Sequence, residues 1–376
     1  MRSGGRGAVL AGLAALAGAA LITAAPGGTA GAAGTAGAAG TAGATGTAGP
    51  AGPAALAWHR LALLHGWQPA AGAVSPAWAV RGGIAYLSGA VGQPSPGGAV
   101  VAILPRAARP AKKLLIAVPT QDGSRGHLQI TPTGQVSAAS SPAGGAAGFT
   151  SLDSVSFPVR ATTRHWLALQ HGWQSGQRQW NTGDPAYTVT GGVVYLSGSL
   201  HHRGGPAARP TFAVLPKAAR PARKMFVSVF TGGGTPGALL LYPDGKISAF
   251  LGKAASFTSL ASVSFPAAGA AWHRLRLRNG WQSAHPTYGT GSPAYCLLGG
   301  MTYLAGGLRQ PHGQVAVFAV LPPAARPSGT VMAPDYAAGM AGIAQIQPDG
   351  SLTALSSPAT AARVFTSIEA VSFPVR

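Results

Sequence analysis

The chain has 376 residues, of which 47% are hydrophobic, so it is long enough to form packed globular cores. Its 56 Gly and 31 Pro exclude a protein built from long helices and favour short strands joined by turns. With 27 Lys and Arg against 7 Asp and Glu, the formal net charge is +20, so we expect the surface to attract anions.

Residues 1–26 have the pattern of a secretory signal peptide. Arg2 and Arg6 precede an apolar run rich in Ala and Leu, and small residues follow the run. We therefore expect a secreted, extracellular protein that associates with the cell wall and has no membrane span after signal cleavage. An uncleaved membrane anchor is the alternative, although the run is near the minimum length for a span. The lone Cys296 cannot form an internal disulfide, so packing alone must stabilise the secreted domains.

A low-complexity linker rich in Gly, Ala and Thr follows at residues 27–55. Every third residue from Gly28 to Gly52 is glycine, the period that the collagen triple helix requires. Only Pro50 and Pro53 restrict the backbone in advance, so a flexible spacer and a collagen-like segment both remain open.

Three tandem copies of one domain make up the rest of the chain. The motif "ALLHGWQ" returns as "ALQHGWQ" and "RLRNGWQ" at a spacing of roughly 105 residues, much longer than the period of a solenoid or propeller repeat. The match continues to the end of each copy, through "YLSG", "AARP" and "VSFP" or close variants. The predicted domains are 56–160, 161–268 and 269–376.

Within one copy, short apolar runs are bounded by turn residues. "TVTGGVVYLSG" predicts a hairpin over 188–198, and "LLLYPDGKISAF" predicts a second hairpin over 239–250. An opening strand at "LALLHGW", strands before and after "LPKAARP" and a closing strand at "VSFP" bring the count to about eight. The fold class is therefore all-β, with three tandem antiparallel β-sandwiches.

The order of these motifs resembles a known family. A "GW" pair, a "GGVVYLSG" hairpin, "LPKAARP", "PDG" and a final "VSF" together resemble the C-terminal β-sandwich domains of phage tail and head-fibre appendage proteins. The resemblance covers residues 56–376 and implies a jelly-roll-like domain that forms a trimeric head and binds a cell surface. A signal peptide and three domains in one chain both depart from that family. The resemblance therefore predicts either an intramolecular pseudo-trimer or a homotrimer.

Catalytic groups do not recur in all three copies. The position of Asp153 is taken by Ala261 and then by Glu369, and no other carboxylate is shared by the three copies. Paired-carboxylate hydrolysis is accordingly not expected, and we predict a protein that is not an enzyme and uses no cofactor.

Histidines do recur, but in a pattern that does not suit a metal. His59, His165 and His273 match, and a second column has His65, His171 and Asn279. On a single strand the two columns would be about 20 Å apart, too far to share an ion. We interpret the first column as polar residues on an outer face and predict no metal site.

The recurring aromatic and arginine residues are interpreted as structural. The tryptophan and tyrosine columns fit core packing, and the arginine column of "AARP" fits a turn-closing role. These columns are Trp67, Trp173 and Trp281; Tyr86, Tyr195 and Tyr303; and Arg109, Arg220 and Arg326.

Binding residues are expected where the copies diverge. Trp180 lies in the polar stretch "SGQRQWNTGD", and His201, His202 and Arg203 lie in "HHRGG"; these four residues are the candidate ligand-binding residues. Exposed cations are expected to meet anions at Arg106, Lys112, Lys113, Lys217, Arg223 and Lys224.

The residues thus favour a secreted, non-catalytic binding protein for an anionic cell-wall polymer or polysaccharide. No sequence motif indicates specific nucleic-acid binding. The alternative is a structural or assembly protein whose sandwiches mainly pack on one another.

Overall fold

The computed structural model describes residues 56–375 apart from 96, 122–124, 142, 205–208 and 314. The predicted signal peptide and linker lie outside the described residues. Those that are described belong to one compact unit built mainly from antiparallel strands, which confirms the all-β prediction. None of their helices has the length and apolar character needed to cross a bilayer.

The same series of eleven strands occurs in 56–160, 161–268 and 269–376, which we call segments 1, 2 and 3. The strands of segment 1 are β1 (His59–Arg60), β2 (Gln68–Pro69), β3 (Ala77–Arg81), β4 (Ile84–Ser88), β5 (Ala90–Gly92), β6 (Val100–Ile103), β7 (Leu114–Pro119), β8 (Arg125–Ile130), β9 (Gln135–Ser141), β10 (Thr150–Ser151) and β11 (Ser156–Pro158). The strands of segment 2 are β12 (His165–Trp166), β13 (Trp173–Ser175), β14 (Ala186–Thr190), β15 (Val193–Ser197), β16 (Ser199–His202), β17 (Thr211–Val214), β18 (Met225–Phe230), β19 (Pro236–Leu241), β20 (Lys246–Phe250), β21 (Thr258–Ser259) and β22 (Ser264–Pro266). The strands of segment 3 are β23 (His273–Arg274), β24 (Gln282–Ser283), β25 (Ala294–Leu298), β26 (Met301–Ala305), β27 (Gly307–Arg309), β28 (Val317–Val320), β29 (Val331–Ala337), β30 (Met340–Ile346), β31 (Ser351–Ser356), β32 (Thr366–Ser367) and β33 (Ser372–Pro374).

Helices are short and lie between strands. They are α1 (Gly145–Gly148), α2 (Gln177–Trp180), α3 (His285–Tyr288) and α4 (Ala359–Val364). Single 3-10 turns occur at Arg106–Ala108, Lys217–Ala219, Gly232–Gly234 and Pro323–Ala325. The frequent Gly and Pro residues interrupt any longer helical run.

Both predicted hairpins are confirmed, whereas the opening strand is wrong. Gly191 and Gly192 join β14 to β15 with φ angles of 57° and 76°, as a tight turn requires. The turn before β20 contains Asp244, as the "PDG" motif predicts. In the predicted opening strand, His65 and Gly66 have φ angles of 50° and 76°, so the chain turns there. The two histidine columns therefore do not share a strand.

Each segment pairs an inner four-stranded sheet with an outer one. The inner sheets have the strand orders β1-β3-β4-β11, β12-β14-β15-β22 and β23-β25-β26-β33. The outer sheets have the orders β6-β9-β8-β7 and β17-β20-β19-β18, and in segment 3 the order β24-β27-β32-β29-β30-β31-β28. This third sheet is larger because β29 also pairs with β32, where segments 1 and 2 have only the bridges Thr120–Thr150 and Thr231–Thr258.

Both faces of each inner sheet are covered, so β4, β15 and β26 are buried along their whole length. One face, which includes Leu87 in β4, packs into the segment's own core. The other face, which includes Ile84, packs into a core shared by all three segments. This central core contains Leu56, Ala79, Ile84, Tyr86, Val193, Tyr195, Cys296, Met301 and Tyr303.

The tyrosine column meets in the central core, as its interpretation as core predicts. The hydroxyl oxygens of Tyr86 and Tyr195 are 2.7 Å apart, and Tyr195 also forms a hydrogen bond with Tyr303. Burial raises the pKa of all three phenols, so they remain neutral hydrogen-bonding groups.

The tryptophan and arginine columns are structural as well. Trp67, Trp173 and Trp281 are buried, and each indole nitrogen donates to a backbone carbonyl. The Nε atoms of Arg109, Arg220 and Arg326 donate to carbonyls five residues earlier at 3.0, 3.1 and 2.9 Å, which closes the same turn three times.

The first histidine column lies at the exposed edge of the inner sheets. The rings of His59, His165 and His273 stack on the cross-strand neighbours Trp78, Tyr187 and Tyr295, with centroids 4.6, 5.2 and 5.2 Å apart. The exposed position confirms the interpretation as surface residues.

The three segments contact one another in a closed order, 1 to 2, 2 to 3 and 3 to 1. Strands β7, β18 and β29 touch pairwise at the centre. We call the three contact regions seam A (segments 1 and 2), seam B (segments 2 and 3) and seam C (segments 3 and 1). Each seam includes the chain just after "AARP" in one segment and the chain before the inner hairpin in the next.

Candidate binding surface

Trp180 ends α2, a single helical turn at seam A. Ser175 Oγ accepts a hydrogen bond from the Gln177 backbone at 3.1 Å where the turn begins, and Asn181, with φ 55°, ends it. The indole is half-buried rather than exposed, because its edges meet the rings of Phe257 and His201 at centroid distances of 4.8 and 5.3 Å. Phe257 is far away in sequence, so the surrounding polar residues could not reveal this apolar partner.

The other predicted binding residues follow β16 and divide between its two faces. His201 lies against Trp180, and its Nδ1 is buried with no hydrogen-bond partner among the described residues. His202 faces the opposite way, against Trp173, and its Nε2 donates to the His171 carbonyl at 3.0 Å. Arg203 is exposed in the turn after the strand. The structure thus brings Trp180 and His201 together and places His202 elsewhere.

Segment 3 repeats the Trp180 arrangement with different residues. Helix α3 ends at Tyr288, whose ring lies 4.2 Å from that of Phe365, the equivalent of Phe257. Arg309 takes the place of His201, and its Nε is likewise buried without a partner in the described chain. Because "QRQW" and "HPTY" share no residue, a comparison of the repeats does not reveal this equivalence.

Segment 1 lacks the arrangement. Gly92 takes the position of His201 and Arg309, and no helix forms between β2 and β3. The aromatic residue and its basic neighbour are therefore present at seams A and B and missing at seam C.

Basic residues from the preceding segment lie beside α2 at seam A. The Lys112 Nζ is 3.5 Å from Asn181 Oδ1, and the Lys113 backbone nitrogen donates to the Asn181 carbonyl at 3.2 Å. Asn181 directly follows Trp180. Lys112 is exposed, and Lys113 is half-buried.

Arg223 and Lys224 take the same positions beside α3 at seam B. The Arg223 guanidinium lies 4.5 Å from the centre of the Trp272 ring and donates to the Ser292 carbonyl at 3.4 Å. The Lys224 Nζ lies 5.1 Å from the ring centre of Phe226, which also contacts the Tyr288 ring. Cations and aromatic rings therefore share one contact cluster at this seam.

At seam C the equivalent positions are Gly329 and Thr330, and backbone groups make the contact. Thr330 forms a parallel bridge with Ala73, donates to the Gly72 carbonyl at 3.3 Å and accepts from the Val74 nitrogen at 3.3 Å. These residues bring neither a charge nor an aromatic ring to the seam.

Acidic side chains do little to neutralise the described surface. The exposed carboxylates of the described chain are Asp184, Asp244 and Asp349. Asp244 forms the one ion pair found among the described residues, with Lys246 at 2.9 Å. At seam A, Asp184 accepts a hydrogen bond from Ser175 Oγ at 2.6 Å. Most exposed cations therefore face solvent without a carboxylate partner.

Two buried carboxyls hold segments together. Asp153 accepts hydrogen bonds from the nitrogens of Gly89 at 2.7 Å and Met332 at 3.1 Å, the latter across seam C. Burial raises its pKa to about 6, against the effect of these donors. Glu369, near seam B, accepts from the Gly306 nitrogen at 2.7 Å, and burial raises its pKa to about 8 although Arg223 lowers it.

Asp335 differs from both because neither carboxyl oxygen has a partner in the described chain. It lies in β29 at the position that Val118 and Val229 occupy in the other segments. Burial alone raises the pKa of Asp335 well above its ordinary value, so the side chain is kept neutral.

Groups that could act as metal ligands or nucleophiles are scattered. Within the described residues, no three His, Cys, Asp or Glu side chains lie close enough to hold a metal ion. Cys296 is buried in the central core, and burial raises the pKa of its thiol to about 12, so it is not a thiolate at neutral pH.

Comparison with known proteins gives no match: no family model, curated protein or solved structure is similar to this chain. The resemblance to phage fibre domains therefore stays a prediction. The functional interpretation depends on the chemistry of the surface.

Proposed function

We propose that the protein is a secreted, non-catalytic binding protein whose ligand is an anionic cell-wall polymer or polysaccharide. The observation that carries this proposal is the separation of charge between interior and surface. Asp153, Asp335 and Glu369 are buried, whereas Lys and Arg side chains dominate the exposed charges. A surface of one sign attracts a polymer of the opposite sign over several ångströms.

The contacts among segments add multivalency to this proposal. We infer an intramolecular pseudo-trimer, supported by the closed order of the seams and by a central core with residues from every segment. A chain that presents related basic surfaces around one centre can engage several points of the same polymer. Such linkage raises avidity by about 10²–10⁴ when the sites bind together.

The test is retention of the full chain on an immobilised anionic polysaccharide, such as polygalacturonate, compared with neutral dextran. We expect binding to the anionic surface alone, and loss of that binding at about 1 M salt, where the screening length falls to about 3 Å. Equal retention on both surfaces, or binding that ignores salt, would refute an electrostatic ligand.

A structural or assembly role is the second candidate, and the packing of the three segments favours it. A protein of this kind would have the same core and no ligand. Light scattering and small-angle X-ray scattering examine the pseudo-trimer in either case: a compact monomer near 37.3 kDa is expected for the full chain. A threefold larger mass or an extended monomer would contradict it.

A further inference from the structure

We propose that the anionic ligand binds at two composite sites, seam A and seam B, and that seam C is not a binding site. This inference rests on the proposed function and specifies where in the molecule it occurs. It also predicts a number of sites per chain that differs from the number of repeats.

The cationic part of each site comes from the segment that precedes the seam. Lys112 and Lys113 supply two ammonium groups at seam A, and Arg223 and Lys224 supply a guanidinium and an ammonium at seam B. The printed partners of these side chains are neutral oxygens and aromatic rings, so their charges remain available to an anion. An ammonium or guanidinium bound to carboxylate or phosphate forms a stronger hydrogen bond than a neutral pair.

Close approach at a glycine positions each cation. Lys112 Cγ lies 3.3 Å from where a Cβ on Gly183 would be, and Arg223 Cδ lies 2.8 Å from the same point on Gly291. Both glycines have positive φ angles, 83° and 75°. The equivalent backbone therefore admits a long basic side chain at both seams.

The aromatic part comes from the segment that follows the seam. Trp180 and Tyr288 are half-buried at the ends of α2 and α3, so each ring is held by its neighbours and still reaches the surface. A fixed ring beside cations suits a sugar, since the apolar face of a pyranose packs on the ring while its charged substituent meets the cations. The exposed side chains Arg178 in α2 and His285 in α3 lie on the same helices.

This chemistry assigns a glycan that carries carboxylate or phosphate groups. Both substituents present the same oxygens to Lys and Arg, so the experiment must separate them. A nucleic acid and a membrane would use the cations without requiring a sugar-sized aromatic contact, and they are outcomes of the test.

The first measurement is calorimetric titration of the full chain with a short oligogalacturonate that cannot span two seams. We expect two glycans bound per chain. A stoichiometry of three would overturn the inference, because it would mean that every repeat binds alike. If the full chain binds neither oligomer nor polymer, the proposed function itself fails.

Matched variants then locate the sites. Lys112→Gln with Lys113→Gln removes two charges at seam A, and Arg106→Gln with Lys217→Gln removes two exposed charges outside the seams. The seam variant should lose one of the two sites, with at least about tenfold weaker binding there. The control should keep both sites with affinity within about twofold.

The remaining outcomes decide between sources of the anion. An equal loss in both variants would show diffuse electrostatics and overturn the seam sites while the proposed function stands. Lys224→Gln should weaken only the second site, and urea unfolding shows whether each variant remains folded. Competition by inorganic polyphosphate alone would indicate phosphate groups and still support the sites. Tighter binding of single-stranded DNA or anionic vesicles than of the glycan would overturn the ligand class.

Discussion

Seams A and B and seam C are made by equivalent stretches of backbone, yet they differ in what they present to solvent. Lys112 and Arg223 extend along glycines at the first two seams, whereas Gly329 at seam C leaves only backbone contacts. One backbone geometry thus supports either a basic, aromatic surface or a closed polar contact. The fold requires contact at every seam, and the side chains decide which of them can bind.

Buried acids differ among the seams in a related way. The position occupied by Asp153 near seam C and by Glu369 near seam B is Ala261 near seam A. Stability at seams B and C should therefore depend on pH, and stability at seam A should not. The following experiments use this difference, beginning with the largest effect.

Acidic pH should stabilise the folded chain. The pKa of Glu369 is raised from 4.5 to about 8 and that of Asp153 from 3.8 to about 6, so the folded state retains both protons longer. Their contribution is complete below about pH 4 and is lost as the pH rises through these folded values, with a slope of about 1.4 kcal/mol per pH unit per proton. Urea unfolding between these limits measures the slope. Glu369→Gln should flatten its upper part, and an unchanged slope would contradict the assignment.

Loss of the Asp153 carboxyl should weaken seam C selectively. Asp153→Ala leaves the nitrogens of Gly89 and Met332 without their acceptor, so we expect the free energy of unfolding to fall by about 2–4 kcal/mol. Asp244→Ala, at an exposed turn, should cost less than about 1 kcal/mol. The glycan stoichiometry should stay at two in Asp153→Ala; its loss would mean that seam C contributes to binding.

Replacement of Asp335 should have the opposite sign. Asp335→Val introduces the residue type found at the equivalent positions 118 and 229 and removes a buried carboxyl without a partner. The expected gain in unfolding free energy is about 1–3 kcal/mol, measured by urea unfolding. Destabilisation by this change would show that the carboxyl has a partner or function in the native protein.

Removal of one aromatic ring should have the smallest effect. Trp180→Ala deletes the ring at seam A, so we expect about three- to tenfold weaker glycan binding at one site and none at seam B. Trp166, whose side chain is 65% exposed outside the seams, provides the matched control as Trp166→Ala. Equal weakening in both variants would argue against a specific ring contact.

Much of the fold was predictable because the three copies state it three times. The all-β class and both hairpins follow from strand periodicity and turn chemistry, and the Trp, Tyr and Arg columns are structural as their shared positions indicate. The opening strand failed because His65 adopts a positive φ, which a local pattern of apolar residues does not encode. Strands of two residues, such as β1, depend on tertiary pairing and carry no period.

The candidate sites were only partly predictable, and the search for shared columns explains why. That search excludes a site present in two copies out of three and hides the equivalence of Trp180 with Tyr288 and of His201 with Arg309. Divergent loops did point to Trp180 and His201. The basic partners Lys112 and Arg223 come from a different segment, so only the contact between segments shows that they belong to the same site.

The two ends of the described chain meet at Gly300. Its carbonyl accepts a hydrogen bond from the Val375 nitrogen at 3.0 Å, and the Leu56 nitrogen lies 3.7 Å from where a Cβ on Gly300 would be. The gap between the end of segment 3 and the start of segment 1 is thus a break in the polypeptide at a place where the fold is continuous. A circular permutant that joins these ends and opens the chain between segments 1 and 2 should fold to the same ring, since the order of the segments has no structural beginning.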